Sequence, residues 1–134
     1  MRIRKFVVVS LSVAVFFVSY IVILSVLAAL AAFIASRALI LENIMVSLIH
    51  VSSFIFGIVA SVAAHTASGA VIGRLAVSDA GALSLARTHT NIILAASVLL
   101  AVLSLVGGDT IIPPLAMLVV TLYLRAKLMQ GGPY

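Results

Sequence analysis

The sequence predicts an all-α membrane protein: a bundle of four transmembrane helices forming one domain, with both termini on the cytoplasmic side. Three observations carry that expectation. The 134 residues are 65% hydrophobic and only 8% charged, where a soluble domain carries about 25% charged residues. Long stretches lack Asp, Glu, Lys and Arg altogether. The basic residues stand at the ends of those stretches, and nearly all on one side.

The first such stretch covers residues 6–36, longer than the ~20 residues needed to cross a bilayer. The helix is expected over 6–35, tilted or projecting beyond the membrane. The second uncharged run is 43–73, with its apolar heart at 44–64, and predicts a helix over 43–66. A third helix is expected over 88–107. The fourth run opens on Pro113 and Pro114, which suit a first helical turn because no backbone donor is needed there. That helix is expected over 112–128.

Between the second and third spans, 67–87 contains Gly69, Gly73, Ser78, Asp79, Gly81 and two arginines. This composition reads as a cytoplasmic loop with room for a short interfacial helix. Gly107, Gly108 and Asp109 predict a tight turn. The N-terminal basic residues and apolar run also resemble a signal peptide, with Ala29-Leu30-Ala31 as a cleavage site. The run is more than twice the usual length for that role, so it reads as a span.

Charge orients the bundle. With four spans, Arg2, Arg4, Lys5, Arg74, Arg87, Arg125 and Lys127 fall on one side and only Arg37 on the other. Basic residues collect on the cytoplasmic face, so the chain is expected to be a multi-pass protein of the cell membrane. The formal charge of +5 is explained by this topology. No basic patch interleaved with aromatics suggests nucleic acid. The expected partners are the lipid bilayer and other membrane subunits, or copies of the chain itself.

The sequence contains no cysteine, which excludes disulfides and thiolate chemistry. Its three carboxylates, Glu42, Asp79 and Asp109, all lie at expected helix ends and form no acid–base pair. Catalysis is not expected. The informative span is the second. On a helical wheel His50, Gly57, Ser61 and Ser68 share one face, flanked by Ser47, Ser53 and His65. In lipid, small and polar residues permit close helix approach, so Ser47, Gly57, Ser61 and Ser68 are expected to pack on neighbouring helices. Thr90, Ser97 and Ser104 make a similar seam on the third span, expected to face the second. The same residues read functionally as the wall of a ligand site.

His50 lies within the second span, and an ionisable residue at membrane depth is a functional candidate. His65 and His89 fall at the cytoplasmic ends of spans two and three, at similar depth. Two such histidines can ligate one haem iron from opposite faces, making His50, His65 and His89 the candidate cofactor residues and haem b the candidate cofactor. The alternative is that His65 and His89 are ordinary interfacial residues. His50 and His65 are about 22 Å apart along one helix and cannot share a metal.

Arg4-Lys5-Phe6, followed by Val15-Phe16-Phe17-Val18-Ser19-Tyr20 and then Ser47-Leu48-Ile49-His50, resembles small cytochrome oxidase maturation proteins of the CtaM-like type. The resemblance spans about residues 4–65. Leu24 stands near the position where that family has a histidine, and its aromatic, proline-rich later helix has no counterpart here. The resemblance implies a haem-related accessory role in assembling a respiratory oxidase, with His50 as the matching position. Haem A synthases differ more, since their Glu-x-x-His-Arg motif is missing. Two functions follow as expectations: a small accessory or assembly protein of a respiratory membrane complex, or a structural protein that self-assembles in an envelope, pilus or virion.

Overall fold

The structure, a computed structural model, describes residues 2–37 and 42–130, with the side chains of α2 described from residue 49 onward. It contains four helices: α1 (Arg2–Arg37), α2 (Glu42–Leu75), α3 (Asp79–Gly107) and α4 (Ile112–Met129). All four are long and apolar enough to cross a membrane. Helices are what lipid demands of a spanning chain, because every backbone donor and acceptor must be satisfied within the segment.

The stretch 67–87, expected as a loop, is helical except at 76–78. Glycine and serine break helices in water, but they are common in membrane helices, where they let backbones approach. Ser68, which the helical wheel puts on the packing face of the second span, is fully buried, and its hydroxyl returns to the His65 carbonyl at 3.0 Å. Ser78 caps α3 by accepting from the Gly81 amide at 3.1 Å. Gly108 ends α3 with φ of 74°, a left-handed conformation that glycine adopts without a Cβ clash. The turn expected at Gly107–Asp109 is therefore present. Pro113 and Pro114 occupy the first turn of α4.

Around the bundle the order is α1, α2, α4, α3. α1 packs extensively on α2, and α4 on both α2 and α3, whereas α1 and α3 meet along a looser seam. α2 and α3 sit diagonally. In the α3 seam Thr90 and Ser97 are buried and Ser104 is half-buried. However, α3 lies chiefly against α4 rather than α2, because α4 returns between them.

Two apolar clusters form the core. Phe16, Tyr20, Ala60, Ala64, Ile93 and Met117 make the central one. Val8, Ile72, Leu85, Ala86 and Leu128 make a second near the basic end. There Arg4 donates to the Leu75 carbonyl at 3.3 Å, Arg87 to the Leu128 carbonyl at 3.1 Å, and Arg125 to Asn91 Oδ1 at 2.9 Å. The first two bonds satisfy carbonyls that a helix C-terminus leaves open. Together these contacts gather the α1 and α3 starts and the α2 and α4 ends into one basic pole.

Candidate functional site: a buried histidine pair

α1 buries Val8, Ser12, Phe16 and Tyr20, four residues apart and so on one face. That face meets His65 from α2 and His89 from α3. Both histidines are buried, and their rings lie 5.8 Å apart, edge to face at 84°. Phe16 packs 4.6 Å from the His65 ring and 6.0 Å from the His89 ring. Each helix therefore contributes to one polar knot inside an apolar bundle, where an unsatisfied polar group costs free energy.

The hydroxyls around the pair have defined roles. Thr121 of α4 donates to the Met117 carbonyl at 2.7 Å, so its oxygen accepts the His65 Nε2–H at 3.0 Å. Ser12 donates to the Val9 carbonyl at 2.8 Å and lies 3.0 Å from His89 Nδ1. Ser68 donates to the His65 carbonyl and lies 3.2 Å from His89 Nε2. A neutral imidazole carries one N–H. One serine therefore accepts from His89, and the other turns its hydrogen toward the bare ring nitrogen. His89 is held on both edges in either tautomer.

As packed, the pair does not fit a haem iron. Bis-histidine ligation needs one bare nitrogen from each ring, aligned on opposite faces of a macrocycle. Here both His89 nitrogens are engaged by serines, His65 Nε2 is engaged by Thr121, the rings meet edge to face, and Phe16 fills the space against both. Among the described residues, no three His, Asp or Glu side chains come together as a metal site. Ser12, Ser68 and Thr121 each also reach a backbone carbonyl, and among the described residues no carboxylate joins them. The arrangement ties all four helices together through one polar knot.

Of the residues singled out by the sequence, Gly57, Ser61, Ser68 and Ser97 are buried. Gly57 marks a close approach of α2 to α4: a Cβ there would stand 2.7 Å from Ala116 Cβ and 3.4 Å from Pro113 Cα. The Ser61 hydroxyl is buried with no hydrogen-bond partner among the described residues. His50, two turns beyond Gly57, is exposed, because α4 begins at the level of Gly57 and leaves that part of α2 uncovered. The side chain of Ser47 lies outside the described residues.

Sequence reasoning missed Ser12, Phe16 and Thr121. The available signal was the four-residue spacing of Val8, Ser12, Phe16 and Tyr20. Tyr20 itself donates to the Pro113 carbonyl at 3.2 Å, fixing α1 to the start of α4. No protein-family model, no curated protein and no solved structure matches this chain.

Proposed function

We propose that the protein is a small, non-catalytic accessory or assembly protein of a membrane complex, with its basic pole in the cytoplasm. The observation that supports this is the contrast along α1. Every buried residue of α1 lies at or before Tyr20; none lies in 21–37. Beyond that point Ser25, Ala28, Ala29, Ala32 and Ser36 fall within an arc of about 100° on the helix wheel and are all exposed. In lipid, apolar bulk gives no drive for helices to associate, and small residues are useful where another backbone comes close. This reading gives that face to a helix of another membrane subunit. The resemblance in residues 4–65 suggests a respiratory oxidase as the complex. The histidine pair then serves as the fixed joint of the bundle, without haem. The orientation rests on the basic asymmetry.

The test is gentle purification of the tagged chain, with absorbance and particle size measured together. The expected result is a colourless protein that co-purifies with other membrane subunits and loses them on Ala28→Leu/Ala32→Leu substitution. A regular array of the chain alone, dissolved by the same substitutions, would give the role to self-assembly instead. Retention of all partners by the double variant would remove the support for this face. Reporter fusions at position 40 and at the C-terminus should read opposite sides of the membrane.

A further inference from the structure

The seam between α1 and α3 is the open side of the bundle, and it holds a cleft of about 650 Å³. Its walls are largely apolar, with Phe6, Val9, Val13 and Ala14 from α1 facing Leu85 and Ile92 from α3. A second hollow of about 220 Å³ adjoins it at the basic pole and shares Lys5 and Leu85 with it. That hollow also contains Arg4, Ser78 and Gly81. An apolar groove thus runs into a small basic chamber at the level where helix ends meet headgroups.

We propose that this cleft binds one anionic phospholipid, with an acyl chain along the α1–α3 groove and the phosphodiester at Lys5. Lys5 makes no hydrogen bond or ion pair among the described residues, and it stands where both hollows meet. Arg4 spends one N–H on the Leu75 carbonyl and keeps further donors. Ser78 accepts from the Gly81 amide, which leaves its hydroxyl hydrogen for an anionic oxygen. No carboxylate lines either hollow. Basic pockets between transmembrane helices at the membrane surface suit anionic headgroups, and each nearby Lys or Arg contributes about 1 kcal/mol. A water-soluble phosphate would gain the charge but leave the apolar groove unfilled, so the occupant is a lipid. The inference requires only that the chain lies in a bilayer. It is independent of the accessory role.

The experiment reconstitutes the full chain into phosphatidylcholine vesicles containing a minor fraction of phosphatidylglycerol, spin-labelled on the acyl chain, and measures the label immobilised by protein. The wild type is expected to hold phosphatidylglycerol in preference to labelled phosphatidylcholine. Lys5→Gln should lower that preference about five-fold, the factor equivalent to one such charge. Ala14→Phe, which fills the groove and keeps Lys5, should abolish it, and Ser10→Phe provides a second blocking variant should the first lose helix content or monodispersity. Lys127→Gln, at the same pole on α4, should leave the preference intact, and soluble glycerol phosphate should not compete. No preference in the wild type, equal losses from Lys5→Gln and Lys127→Gln, unaltered binding in the blocked variants, or displacement by glycerol phosphate would each overturn the proposal.

Discussion

The half of the bundle near the basic pole and the half away from it are built from the same apolar residue types, yet they are packed differently. In the first, Phe16, two histidines and the hydroxyls of Ser12, Ser68 and Thr121 interlock, with a second apolar cluster below them. In the second, α1 has no fully buried residue over 21–37, Ile23 and Leu24 are only half-buried against the central cluster, and Ile21, Val26, Leu30, Phe33 and Ile34 are exposed. Length explains the difference. α1 has 36 residues and extends about 54 Å, whereas α4 has 18 and extends about 27 Å. Starting at Ile112, α4 meets α1 at Tyr20 and α2 at Gly57, and beyond that level no fourth helix completes the bundle. Hydropathy therefore tells where lipid is tolerated. Small and polar residues tell where helices meet.

The largest effect that separates the halves is expected from phenylalanine truncation. Phe16 is fully buried against Phe17, Tyr20, His65 and His89. Phe16→Ala leaves a cavity at the centre of the knot. The unfolded chain keeps its phenylalanine in lipid, so the transfer part of the cost is reduced and about 2–3 kcal/mol remains. Phe33 is 59% exposed, and Phe33→Ala should change stability by less than about 0.5 kcal/mol. Titration with dodecyl sulfate in mixed micelles, followed by circular dichroism, measures both. Equal losses would mean that the far half is packed as tightly as the near one.

Next comes overpacking at the boundary. Gly57→Leu forces a side chain into the 2.7 Å approach to Ala116 and should cost about 1–3 kcal/mol. Val59→Leu, at a position 47% exposed, should be tolerated in the same titration. If Gly57→Leu proves silent, the α2–α4 contact does not define the boundary.

These variants also show what the sequence made legible. The four spans could be read because lipid excludes charge, so charge-free runs and their basic ends stand out in a single chain. Gly57 and Ser68 could be read because α2 contrasts small residues with Ile, Val and Phe around its circumference. The helical character of 67–75 and 79–87 could not, since glycine and serine mark loops by rules learned in water. Ser12 and Phe16 were hidden because α1 also carries Ser10, Ser19 and several phenylalanines and valines, which blur the face that the bundle selects. The exposure of His50 follows from where α4 starts, a tertiary property that residues within α2 do not encode.

A smaller effect is expected within the knot. Thr121→Val keeps the shape of the side chain and removes the oxygen that accepts from His65 Nε2. Hydrogen bonds between membrane helices average about 0.6 kcal/mol, because the unfolded chain also finds partners. A loss near that value is expected. A loss several-fold larger would show that the polar groups act cooperatively and hold the near half together more than ring packing does.

The smallest effect tests the far half itself. Ala28 and Ala32 are exposed on α1, and Ala28→Leu/Ala32→Leu adds bulk to a face that the chain leaves to lipid. Leucine is at least as good in a helix interior as most residues, and lipid solvates it without strain. The isolated protein should therefore unfold within about 0.5 kcal/mol of the wild type, even where the same substitutions strip it of membrane partners. The two measurements are meaningful only together. Lost partners with unchanged stability would mark a surface reserved for another helix, whereas a clear loss of stability in the isolated chain would mean that the Ala28/Ala32 face of α1 packs on this chain after all. In that event the division of the bundle into a packed and an open half would fail, and so would the argument that the open half exists to receive another helix.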